Sequence, residues 1–196
     1  MFKQSSKIER NKRLHAIFWS CWLFLLGCEN DLSLNPFYSY TYFPLTKGNT
    51  WTYHNPLYDS QTITYKIIDK IQLQQKNYFL YGPGNAWVDT LRVDDLGRVH
   101  NFYQGKEIIW LDITQPHGST YILDHKIGND SYQVHVKRNV QLKTKAGNFK
   151  NCIDFYFDIP RAIDDEVGYV LAPGVGIVKI YGAWTNIELS SYQISF

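Results

Sequence analysis

The amino-acid sequence predicts an all-β domain: a single strongly curved antiparallel sheet, or half-open barrel, of about ten strands. Three observations lead there. Apolar and polar residues alternate over long runs, turn residues recur at short intervals, and the chain is rich in aromatic and β-branched side chains, which favour pleated, half-buried surfaces. All 15 tyrosines lie after residue 27.

The alternation is clearest in three places. In 62–73 the odd positions Ile63, Tyr65, Ile67, Ile71 and Leu73 are apolar, while Thr62, Thr64, Lys66, Ile68, Lys70 and Gln72 stand between them. A period of two sends these sets to opposite faces of a strand. Tyr132, Val134 and Val136 alternate with Gln133, His135 and Lys137. Ile153, Phe155, Phe157 and Ile159 alternate with Cys152, Asp154, Tyr156 and Asp158. Trp51 and Tyr53 share a face of an earlier strand.

Turns separate these runs. Asp94-Asp95-Leu96-Gly97 fits a three-residue hairpin loop in which Gly97 takes positive φ. Gln104-Gly105, Gly128-Asn129-Asp130 and Lys145-Ala146-Gly147-Asn148 divide further strands, and Gly82-Pro83-Gly84-Asn85 reads as a broader loop. Gaps this short join antiparallel neighbours. Near the end, apolar parity shifts from Ile187 and Leu189 to Tyr192, Ile194 and Phe196. One extra residue at Ser190-Ser191, a β-bulge, accounts for the shift, and bulges bend sheets.

The start of the chain has a different logic. Lys3, Lys7, Arg10, Lys12 and Arg13 face one acid, Glu9, and an apolar run follows over 16–27. This is the order of an export signal, and the run falls short of the roughly 20 residues of a membrane span. Setting those five basic residues and one acid aside from 20 and 18 leaves 15 and 17, so the net charge moves from +2 to −2. A nucleic-acid partner has no electrostatic support.

Leu25-Leu26-Gly27-Cys28 resembles the lipobox of bacterial lipoproteins. The resemblance implies that Leu25, Leu26 and Gly27 are read by the signal peptidase, that 1–27 is removed, and that Cys28 receives a diacylglyceryl group on sulfur and an acyl chain on its freed amine. Stable anchoring takes at least two chains. Residues 28–41 then form a lipidated tether, its thirteen residues after Cys28 reaching about 20 Å as a coil, and 42–196 form the domain. The expected location is the Gram-negative cell envelope, lipid-anchored, with the outer membrane favoured over the inner and the periplasmic or surface face undecided. Cys21 leaves with the peptide, so Cys152 has no intrachain disulfide partner.

Three further segments resemble a family of bacterial lipoproteins without an assigned activity. They are Tyr42-Phe43-Pro44-Leu45-Thr46-Lys47-Gly48-Asn49-Thr50-Trp51-Thr52-Tyr53, Ala146-Gly147-Asn148-Phe149-Lys150-Asn151-Cys152, and Leu171-Ala172-Pro173-Gly174-Val175-Gly176-Ile177-Val178-Lys179, followed by Glu188-Leu189-Ser190-Ser191-Tyr192. The family resembles TapB-like proteins and, distantly, the half-barrels of lipoprotein carriers. The resemblance implies fold and location and carries no catalytic residue. Read physically, the same segments are turns and core positions.

The domain contains no Gly-x-Ser-x-Gly, His-Glu-x-x-His, Cys-x-x-Cys or phosphate-loop pattern. His54, His100, His117, His125 and His135 lack metal-ligand spacing and are expected on exposed strands or loops; no metal and no cofactor is expected. Asp164-Asp165-Glu166 reads as a solvated loop, Asp94-Asp95 as part of its turn, and Cys152 as a structural thiol. Lys137, Arg138, Lys143, Lys145 and Lys150 gather on one hairpin, an ordinary solvated surface unless it meets anionic headgroups or glycans. The expected function is non-enzymatic binding or assembly, with the membrane reached through the lipid and an acyl chain, a glycan or an envelope protein as ligand or partner. The alternative is an envelope hydrolase whose acid–base pair is dispersed in sequence.

Overall fold

The computed structural model of the chain describes residues 41–84, 87–127 and 130–195. The expectations for 1–27, for Cys28 with Leu25, Leu26 and Gly27, and for all but the last residue of the 28–41 tether lie outside the described residues.

Twelve strands follow one another: β1 Thr50–Asn55, β2 Tyr58–Leu73, β3 Lys76–Gly82, β4 Asp89–Val93, β5 Val99–Tyr103, β6 Lys106–Leu111, β7 Thr120–Ile127, β8 Asp130–Thr144, β9 Gly147–Asp158, β10 Val167–Ala172, β11 Gly176–Gly182 and β12 Asn186–Gln193. They form one antiparallel sheet in the order β6-β5-β4-β3-β2-β1-β12-β11-β10-β9-β8-β7. The expected count of about ten is therefore corrected to twelve. β10, Val-Gly-Tyr-Val-Leu-Ala, shows why counting fell short. It is buried or half-buried at every position, so the alternation that marks a one-sided strand is missing.

The sheet curls into a nearly closed barrel with one unsealed seam. β1 and β12 pair and join the two halves of the chain. Among the described residues no ladder joins β6 to β7, although they are consecutive. A side chain spans that gap instead: the Tyr121 hydroxyl of β7 donates to Trp110 O (2.9 Å) and accepts from Asp112 N–H (3.3 Å) on the β6 side. Arg138 of β8 donates to Ile113 O (2.7 Å) and Gln115 O (3.0 Å), holding the chain that links the two edges.

Bulges set the curvature. Thr52 pairs with Ser191 and Tyr53 with Leu189, which leaves Ser190 as the extra residue, within the expected pair. Its hydroxyl donates to Thr52 O (2.9 Å). A second extra residue, Ile68, interrupts β2 between Ile67 and Asp69. The inward face expected across 62–73 accordingly holds at Tyr65 and Ile67 and lapses beyond the bulge, where Ile71 and Leu73 are half-exposed. In the β8–β9 hairpin Asn139 and Asn151 adopt φ of 61° and 56°, a region that asparagine tolerates better than most residues.

Phe43, Trp51, Tyr53, Tyr81, Phe155, Ile67, Leu91, Leu111, Ile153, Leu171 and Ile177 are fully buried. These side chains form one buried hydrophobic core among the described residues. The opening and closing segments meet there. The Trp51 indole donates to Val175 O, and the Tyr53 hydroxyl donates to Ile177 O (2.8 Å). Phe43 stacks on Trp51, and Tyr81 meets both rings edge-on. Gly176, at φ 101°, leaves room for this cluster: a Cβ there would stand 3.1 Å from Phe43 and 3.2 Å from Trp51. The architectural reading of these segments is the one the packing supports.

Candidate functional site

Because Val134, Val136, Phe155, Phe157 and Ile180 point inward, their neighbours His135, Lys137, Asp154, Tyr156 and Tyr181 point out. Strand register then lines these outward residues up in two transverse rows. The first runs Thr120–His135–Tyr156–Gly168–Tyr181 across β7, β8, β9, β10 and β11. The second runs Lys137–Asp154–Val170–Lys179–Glu188 across β8 to β12.

The first row is an aromatic shelf. His135 and Tyr156 ring centroids stand 6.2 Å apart, and Tyr156 and Tyr181 stand 6.3 Å apart at an interplanar angle of 21°. The two tyrosines belong to strands that are not adjacent. Gly168 makes their approach feasible. Tyr181 lies over it so closely that a Cβ at 168 would come within 2.2 Å of the ring.

The second row holds the shelf in place. The Tyr181 hydroxyl donates to Asp154 Oδ1 (2.8 Å). Asp154 is 9% exposed. Its burial pushes the carboxyl above the ordinary carboxylate range, against the opposing pull of the Tyr181 hydroxyl and of Lys137 and Lys179. Burial and then Asp154 raise the Tyr181 phenol as well, so the phenol keeps its proton and remains the donor. Lys179 pairs with Glu188 (2.7 Å) and lies 6.0 Å above the Tyr181 ring. At the other end, Thr120 Oγ1 and His135 Nδ1 share a hydrogen bond (2.9 Å), which leaves Nε2 as the ring nitrogen for another partner.

An open cleft of about 480 Å³ lies along this row, bounded by Gly118 and Ser119, His135 and Lys137, Tyr156 and Tyr181. Gly118 N–H donates to Val136 O (2.8 Å) and Val136 N–H to Ser119 O (2.9 Å), which fixes that wall to β8. The arrangement offers stacked ring faces on one side and hydrogen-bonding groups along the edge. Such a surface suits recognition of a ligand with an apolar face and a polar rim.

The alternations in 132–137 and 152–159 placed Lys137, Asp154 and Tyr156 on the outer faces of their strands. It did not show that Tyr181 would join them, because that depends on the register of β10 with both neighbours and on the missing side chain at Gly168. The basic hairpin divides by role. Arg138 is spent on backbone carbonyls across the seam, and Lys137 borders the cleft. Cys152 is buried, and burial pushes its thiol up to about 11, as a structural thiol requires. Asp165 accepts the Ile159 N–H (2.8 Å), so part of the acidic run is a loop brace.

Two of the histidines depart from the expectation of exposure, while His117 is exposed and the side chain of His125 lies outside the described residues. His54 is buried, with Nδ1 bonded to Glu188 O (3.0 Å). His100 is buried between Asp94 (2.9 Å) and Glu107 (3.5 Å). His100 pairs with Arg92 on the outer face, where its burial comes from neighbouring side chains that strand periodicity does not register. There Arg92 makes two bonds to Glu107 (2.6 and 2.7 Å), which Tyr78 and Lys76 also join. Asp94 does serve its turn, accepting the N–H groups of Leu96 and Arg98.

No family model and no curated protein matches this chain. Solved structures do. A candidate lipoprotein from Parabacteroides distasonis is 12% identical, covering 79% of this chain and 99% of its own, at a TM-score of 0.41. A candidate exported protein with a YmcC-like fold from Bacteroides fragilis is 14% identical, covering 80% of this chain and 100% of its own, also at a TM-score of 0.41.

Proposed function

We propose that this chain is a lipid-anchored, non-enzymatic binding protein of the Gram-negative cell envelope, and that the outward shelf on β8–β11 is its ligand surface. The observation that carries the binding reading is the His135–Tyr156–Tyr181 row, with Gly168 clearing the approach of the last ring and Asp154 fixing it from below. A preorganised aromatic face of this kind binds without paying to order its side chains. The anchor rests on the basic start, the apolar 16–27 run and Leu25-Leu26-Gly27-Cys28. The Tyr42-to-Tyr53, Ala146-to-Cys152 and Leu171-to-Lys179 segments keep the TapB-like lipoprotein family as the relationship we favour.

Two measurements test this. Mass spectrometry of protein from a Gram-negative host reads the anchor: the mature chain begins at Cys28 and carries acyl mass, and Cys28→Ala leaves the membrane fraction. A Cys28→Ala chain that stays membrane-bound refutes lipidation as the anchor. For the site, the full chain carrying ¹³C-tyrosine is titrated with polysaccharide, lipid and protein pools from an envelope extract. Movement of the Tyr156 and Tyr181 ring resonances with at least one pool is expected; silence with all three removes the shelf as a ligand surface.

A further inference from the structure

We infer that the shelf takes a saccharide, bound as a chain laid across the strands with sugar faces on the rings of Tyr156 and Tyr181. The inference rests on the shelf being a ligand surface. Its first support is that the rings lie in a row on one side only. A flat base or flavin, with two π faces, gains most from a slot that covers both. A pyranose presents an apolar face of C–H groups on one side and directs its equatorial hydroxyls outward, so a one-sided platform with polar edges matches it. The second support is the edge chemistry. Lys137 and the Ser119 hydroxyl stand along one border of the cleft, and the His135 ring ends the row with Nε2 left over from its bond to Thr120. The Ser119 hydroxyl donates to Pro116 O (2.8 Å) and keeps its lone pairs to accept, while Lys137 donates, so both roles that sugar hydroxyls require are present.

The third support is repetition. Successive ring centroids stand 6.2 and 6.3 Å apart, a spacing comparable with one sugar residue in an extended chain, so neighbouring rings can serve neighbouring units. The fourth is charge. Near the rings, Lys179 is matched by Glu188 and Asp154 sits beneath Tyr181. The site has no concentrated cationic pocket of the kind that phosphate recognition employs. Tyr156, in the middle of the row, is the central stacking residue. Tyr181 is the second, and Asp154 is a positioning residue acting through it.

The test uses the full chain in detergent micelles with ¹³C-tyrosine, and the probes are cellohexaose, chitohexaose, laminarihexaose, maltohexaose and mannohexaose. A second arm uses adenosine and a tryptophan-containing tripeptide. We expect at least one hexasaccharide to move the Tyr156 and Tyr181 resonances and to give saturable binding heat. Tyr156→Ala weakens that binding by about tenfold, equivalent to about 1.4 kcal/mol for a lost stacking contact. Gly168→Ala, which keeps both rings and displaces one, weakens it to a similar extent, while Leu96→Ser, in the β4–β5 turn, leaves it unchanged. Circular dichroism of each variant separates lost binding from lost fold. Hexasaccharide binding that Tyr156→Ala leaves intact overturns the assignment to this shelf. If the second arm moves the tyrosines and no saccharide does, the saccharide inference falls and the ligand surface stands. If neither arm does and the envelope pools are also silent, both fall.

Discussion

Gly168→Ala is the substitution whose consequence the structure fixes most tightly. An alanine Cβ would lie 2.2 Å from Cζ and 2.3 Å from Cε1 of Tyr181, inside any permitted contact. Gly168 is not among the positive-φ glycines, so the backbone itself accepts alanine. The ring must move, and it cannot leave Gly168 and still reach Asp154 at 2.8 Å. Losing a hydrogen bond to a buried carboxylate costs about 1.5–3 kcal/mol, and forcing a side chain into a filled space costs about 1–3 kcal/mol. One displacement produces both losses, so they overlap, and the expected total is about 2–4 kcal/mol. In a Tyr181→Ala background the obstacle is absent. There Gly168→Ala is expected to stabilise by about 0.4–1 kcal/mol, because alanine narrows the unfolded ensemble. The sign therefore reverses between backgrounds. Urea unfolding of the four proteins of this cycle measures the coupling, expected to be at least about 2 kcal/mol. An equal cost for Gly168→Ala with and without the Tyr181 ring would refute the claim that this ring occupies the space above Gly168.

Two further outcomes follow from the buried ionisable groups. Arg92 above all, opposed by burial and aided by Tyr78 and Lys76, holds the Glu107 carboxyl well below its ordinary range. At Asp94 burial opposes ionisation, but hydrogen bonds from His100 and Arg98 outweigh it and leave the carboxyl at about 2. A depressed folded-state pKa gives stability that is present above the unfolded value, about 4, and is lost as pH falls toward the folded one. Glu107→Gln should cost roughly 2–4 kcal/mol at pH 7 and flatten the fall in urea midpoint between about pH 5 and 2. A fall as steep as in the parent chain would show that this network does not govern acid unfolding. Cys152, its thiol pushed up to about 11 by burial, should resist Ellman's reagent at pH 7.5 in the folded protein and react promptly in urea; rapid reaction of the native chain would contradict its burial.

Alternation, turn chemistry and the parity shift at the C-terminus are local properties, and what they determine is legible in the chain itself. They establish the all-β class, the antiparallel order, the bend at Ser190 and the inward faces of β1, β8 and β9. Trp51, Tyr53, Phe155 and Phe157 are buried as their period requires, because a side chain's face depends only on its neighbours along the strand. The expectation of an export signal and of a lipobox at Leu25-Leu26-Gly27-Cys28 rests on equally local patterns. The tertiary structure decided everything that depends on register between strands. It decided between a curved sheet and a half-open barrel in favour of a nearly closed twelve-stranded barrel, with Tyr121 bridging the unsealed seam, and it buried His54 and His100. It also brought Tyr156 beside the glycine that Tyr181 covers, with Asp154 accepting the Tyr181 hydroxyl. These residues come from β9, β10 and β11, and no one strand's pattern specifies how three strands are offset against one another.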